Sequence, residues 1–216
     1  MPEDIRLRFA SCGEDVYVDP SVQIEHPERF HVGNRVRIMR NVTFIQEQAE
    51  VRIGDDCTIY PNTFVQGRGR LILEHKVDLF PNTYISIGGA EGLVQIGHNT
   101  HFAVGCAMYG AGRLVIGPNC AFAAHTVLPT VAHNHRVPGK LLVQTGRRAP
   151  ITIEGDVWTG ANSTILPGVT VARGCVIGAN AVLTKDTEPY GVYLGVPARL
   201  AYFREREAGA AGTADA

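Results

Sequence analysis

A six-residue period constrains this chain more than any other feature. Large apolar residues recur every six positions, in groups of three: Cys12, Val18, Ile24; Val32, Ile38, Phe44; Ile53, Ile59, Val65; Leu73, Leu79, Ile85; Ile96, Phe102, Met108; Ile116, Phe122, Leu128; Ile153, Thr159, Ile165; Val171, Ile177, Leu183. Of these 24 positions, 22 hold Leu, Ile, Val, Phe or Met. A regular repeat of this kind means stacked units that bury one continuous core. Four residues after the large position, in the first two members of a group, stands a small or β-branched residue, as at Val36, Val42, Cys57, Thr63, Cys106, Cys120, Thr126 and Cys175. Small side chains beside large ones let coils close on a narrow interior. Glycine often follows the large residue, as at Gly13, Gly33, Gly54, Gly97, Gly117, Gly160 and Gly178. It is expected there for the backbone freedom of a tight corner.

The steps between groups are 8, 9, 8, 11, 8, 25 and 6. Every insertion therefore follows the third hexad of a coil. This predicts a prism of eight coils, three short strands each, with all loops leaving along one edge. The largest loop covers 129–150 and contains "TVAHNHRVPGK". Little in that stretch has strand or helix character. Residues 1–200 are read as one domain carrying this inserted loop. Pro189 and Pro197 stop the regular pattern. A short helix is expected over 198–207, so that 201–216 hold its end and a disordered tail.

The pattern resembles the hexapeptide-repeat family, and the resemblance implies an all-β, left-handed parallel β-helix. The left hand comes from the resemblance, since the general rule for crossovers is right-handed. Within that family the order of motifs resembles the galactoside, maltose and polysaccharide O-acetyltransferases. These carry a histidine in a loop that interrupts the coils. A run like "PITIEGDVWTGANSTILPGVTVARGCVIGANAVLTKD" then follows, and after it "GVPAR".

The resemblance implies a CoA-dependent acyltransferase, with acetyl-CoA as the acyl donor and a sugar or glycan precursor as acceptor. It places His133 at the catalytic histidine, with His135 secondary. It maps CoA contacts to Trp158, Gly160, Ala161, Gly178, Ala179, Thr184, Lys185 and Arg199. It also implies a homotrimer with its sites between subunits. The chemistry is coherent by itself. A neutral imidazole can take the proton of a hydroxyl that attacks a thioester. Backbone N–H groups near Trp158, Gly160 and Ala161 are candidate donors to the resulting oxyanion. No Ser-His-Asp arrangement or reactive cysteine is visible, which favours direct transfer over an acyl-enzyme.

The acceptor is not legible. The sugar enzymes place Asn and Asp in the coil facing it, where this chain has "FAVGCAMYGAG", with Val104, Cys106 and Gly112. Cys106, Tyr109 and His135 are candidate acceptor contacts. The loop cations Arg136, Lys140, Arg147 and Arg148 would suit an acidic acceptor, or are ordinary solvated charge. Alternatives are N-acetylation of an amino sugar, acylation of a natural product, and a non-catalytic scaffold. Some family members hold zinc with outward histidines. Here His98, His101 and His125 lie at different phases of the repeat, which speaks against a metal.

Composition sets the outer bounds. The chain has 216 residues and a formal net charge of −1, so nothing points to nucleic acid. No run is long enough to span a membrane. The opening "MPEDIRLRFASCGEDV" lacks a secretory core, so a cytoplasmic location is expected. The five cysteines have scattered spacing and fall at inward positions, where they are expected to be inert.

Overall fold

The computed structural model describes residues 4–45, 47–134, 138–140 and 146–205. Three parallel sheets form the faces of a triangular prism. The first has eight strands, from Ser11–Cys12 to Thr170–Val171, and the third has eight, from Gln23–Ile24 to Val182–Leu183. The second has ten, because Gly191–Leu194 adds an incomplete ninth turn and Arg199–Phe203 folds back against it.

The hexads are the register of the sheets. Cys12 pairs with Val32, Val32 with Ile53, Ile53 with Leu73, and the file continues through Ile96, Ile116 and Ile153 to Val171. Each large residue thus sits on the one a coil below, and a single apolar column fills the prism. Phe102 and Phe122 stack inside it with ring centroids 4.3 Å apart. Thr159, the one polar residue of the set, is buried and shares its hydroxyl with Thr126 at 2.9 Å. A buried hydroxyl with a partner carries little penalty. First-sheet strands carry a further inward residue two places earlier, as at Val51, Leu71, Leu114 and Ile151.

Three expectations change. The glycines after the large residues do not have positive φ. They are required by stacking: a Cβ on Gly117 would lie 1.4 Å from the Glu154 carbonyl oxygen. The left-handed residues come two places later, as at Asp56, Asn62, Asn82, Asn119 and Asn180. There a short polar side chain tolerates positive φ, and the next residue turns inward.

The helix expected over 198–207 is a strand at Arg199–Phe203, paired antiparallel with Gly191–Leu194. The free edge of the last turn offers backbone partners that outweigh weak helical propensity. Residues 206–216, the rest of the expected tail, lie outside the described residues.

Cys12 is exposed, because the first coil has no coil beneath it to cover its inner face. The other four cysteines are buried, and burial pushes the thiols of Cys57, Cys106 and Cys120 up to about 11. A thiol reagent applied to the native protein should modify one cysteine rapidly, Cys12, and the rest only on unfolding. Fast labelling of two or more, located by peptide mapping, would contradict the packing.

Candidate active site

The long loop leaves the end of the third sheet after Val127–Pro129 and returns to the first at Ile151–Ile153. Its base is ordered, contrary to the irregular reading. Val131–Ala132 and Arg147–Arg148 form a two-residue antiparallel ladder, with Ala132 opposite Arg147. Thr130 anchors it. Buried, it donates its hydroxyl to the Tyr109 carbonyl at 2.5 Å and accepts the Gly112 N–H at 2.7 Å. Its own carbonyl accepts the Ala149 N–H at 3.0 Å. The two arms of the loop are thus tied to the prism before His133 emerges.

Beyond this base lies a cleft of about 280 Å³. His133, Asn134, Ala132 and Arg147 form the loop side, and Leu166, Pro167 and Thr184 form the prism side. His133 is exposed. The cleft combines an imidazole, a guanidinium and an apolar wall. Asn134 went unnoticed in the sequence, and Arg147 stood out only as one of several loop cations. Nothing local marks them; the hairpin that turns them inward depends on pairing across the loop.

Of the residues mapped to CoA, Thr184 lines this cleft, and Lys185 follows it, exposed. Trp158 is 52% exposed on the outer side of the second sheet, with Gly160 and Gly178 in that sheet's next file. Ala161 and Ala179 lie at the corner beyond them. Within one chain these positions belong to a different face from the cleft. Arg199 is exposed and opens the returning strand, with Nη1 donating to the Ala198 carbonyl at 3.0 Å.

Two expected oxyanion donors are already used. The Trp158 N–H bonds the Cys175 carbonyl at 3.0 Å and the Gly160 N–H bonds the Ile177 carbonyl at 2.7 Å. Gly160 is also needed for stacking, since a Cβ there would meet the Ala179 nitrogen at 2.4 Å. Among the described residues, Ala161 is the member of that trio whose N–H is not taken by the ladder.

Cys106 cannot contact an acceptor. It is 1% exposed, inside the prism, with Sγ 3.3 Å from the Ala123 carbonyl. The inward register of its position decides this. Tyr109 is half-buried on the outside of the third sheet, its ring 5.5 Å from Tyr84. His135 and Arg136 lie outside the described residues, while Lys140 and Arg148 are exposed. Among the described residues no group of three or more His, Cys, Asp or Glu gathers for a metal. His98 stacks on His75 at 4.7 Å and His101 stands edge-on to Phe80. Among the described residues no helix is long and apolar enough to cross a membrane.

Comparison with known proteins agrees with this architecture. The family model for bacterial transferase hexapeptide (six repeats) matches residues 150–185. The galactoside O-acetyltransferase of Escherichia coli (strain K12) is 26% identical over 196 residues, covering 91% of this chain and 64% of that protein. The chain thus spans a little under two thirds of that relative. A protein of Schizosaccharomyces pombe (strain 972 / ATCC 24843) assigned to the acetyltransferases is 34% identical over 157 residues, covering 68% of this chain and 72% of that one. Among solved structures, the polysialic acid O-acetyltransferase OatWY shares the fold with a TM-score of 0.59 at 20% identity, over 92% of this chain and 93% of that one. The hexad register, the corner loop and these similarities have one common account: the chain belongs to the hexapeptide-repeat acyltransferase family, with its left-handed parallel β-helix.

Proposed function

We propose that this chain is an acetyl-CoA-dependent O-acetyltransferase acting on a sugar or glycan precursor, with His133 as general base. The observation that carries the reading is the cleft that brings His133 and Arg147 of the loop against Leu166, Pro167 and Thr184 of the last coils. Its apolar wall and single guanidinium fit the slender arm of a thioester donor, and exposed Lys185 and Arg199 suit the donor's phosphates.

The thioester supplies the acyl group and a thiolate leaving group. His133 takes the proton of the acceptor hydroxyl as its oxygen attacks the thioester carbonyl carbon. A carbon–oxygen bond forms and the carbon–sulfur bond breaks. The proton on His133 then passes to the departing sulfur, and nothing is oxidised or reduced. The Ala161 N–H, offered by a neighbouring subunit, is the donor for the oxyanion. Cys57, Cys106 and Cys120 take no part, because burial holds their thiols far from ionisation at neutral pH.

The reading includes a homotrimer in the cytoplasm. The positions mapped to CoA on the second sheet and the His133 cleft occupy different faces of one prism, so a neighbouring copy is needed to bring them together. N-acetylation of an amino sugar uses the same base and is the second outcome of one experiment. Mass spectrometry of products from acetyl-CoA with a panel of hydroxyl and amino sugars should give an ester, cleaved by mild base. A base-stable amide identifies the N-acetyl reading, and no product from any acceptor refutes both.

A further inference from the structure

Resting on the acetyltransferase reading, we propose that the acceptor is an elongated, uncharged oligosaccharide that lies along one outer file of the third sheet. Its reacting unit would occupy the His133 cleft and its distal units a second groove. That groove, of about 390 Å³, is larger than the cleft itself. It is lined by Ile45, Glu47, Gln66, Arg68 and Ser86, with backbone from Gly67, Gly88 and Gly89.

Register joins the two cavities. Ile45 pairs with Gln66, Gln66 with Ser86, Ser86 with Tyr109 and Tyr109 with Pro129. Val127 pairs with Thr164, so the next position of the file is Leu166, and the Thr164 to Val182 pairing carries it on to Thr184. Ile45, Gln66 and Ser86 of the groove and Leu166 and Thr184 of the cleft therefore stand in one outward file. With coils spaced at about 4.8 Å, Ser86 and Leu166 are some 14 Å apart along the axis, and Gln66 and Thr184 some 24 Å. A single sugar ring cannot touch both ends, whereas a short oligosaccharide can.

The chemistry of the file suits such a chain. Gln66 is fixed by donating its Nε2 hydrogen to the Tyr84 hydroxyl at 2.6 Å. Tyr84 stacks on Phe64, and Tyr109 stands tilted beside it, one coil beyond Ser86 on the way to the cleft. Aromatic surface with neighbouring amide and hydroxyl groups is what a sugar needs, since its rings have apolar faces and hydroxyl rims. Arg68 is ion-paired with Glu47, so the groove holds no net charge and gives a polyanion no advantage.

Gly89 provides the test, because an added side chain there meets open space. Transfer and equilibrium binding would be measured with neutral galacto-oligosaccharides from the monosaccharide to the hexasaccharide, and with oligosialic acid of the same lengths. Binding would use the His133→Ala chain, so that it does not depend on turnover. The neutral series should gain at least about tenfold in kcat/KM, and in affinity, between monomer and hexamer. Gly89→Trp should remove that gain and leave the monosaccharide unchanged, and Gln66→Ala should reduce it. Acetylated sugars with no length dependence, or a gain untouched by Gly89→Trp, overturn the groove and leave the acetyltransferase reading standing. Length-dependent binding without transfer does the reverse. A larger gain for oligosialic acid overturns the uncharged acceptor.

Discussion

His133→Ala is expected to lower acetyl transfer by about a hundredfold or more, while CoA binding and the fold persist. The residue is exposed at the mouth of the cleft, beyond a hairpin held by Thr130, so its removal opens no cavity in the core. The loss should fall on kcat, because a general base acts on the proton in flight and not on the donor's binding. Rates with saturating acetyl-CoA, paired with a thermal melt and a CoA titration, would check this. A variant that keeps more than about a hundredth of wild-type kcat has another base.

Two inactive chains should regain activity when mixed. The first carries His133→Ala. The second carries Ala179→Arg, which puts a bulky charge on the exposed corner mapped to CoA without touching the core. Gly160 would be a poor choice for this role, because any side chain there strikes the backbone of the next coil. If each site joins the loop of one subunit to the second sheet of its neighbour, mixed trimers contain some sites with both parts intact. Activity should rise from near zero to a substantial fraction of wild type after reassembly, with sedimentation confirming trimers. No rescue in confirmed mixed trimers, or an active monomer, contradicts the shared site.

The fold was legible because every coil repeats the same constraint. A residue at the phase of Ile59 or Leu79 must point inward, and the register pairs the two as the period requires. The ends were not legible, because there the repeat meets solvent. Cys12 has the right phase and no coil beneath it, and Arg199–Phe203 completes a sheet edge that the period does not describe. Of the candidate site, one juxtaposition was legible: His133 of the loop and Thr184 of the last coil line the same cleft. Cys106 shows the limit of motif mapping, since every coil turns about half its residues inward and Cys106 is one of them. The N–H groups of Trp158 and Gly160 show another, because a parallel ladder uses donors that no sequence pattern marks as used.

On the proposed function, donor and acceptor meet in the cleft beneath the loop. The most direct measurement is a crystal structure with CoA bound. The CoA sulfur should lie in the cleft between His133 and Leu166, with the imidazole within about 3 Å of the reacting position or linked to it by one water. A sulfur bound on another face, with His133 pointing into solvent, would contradict it.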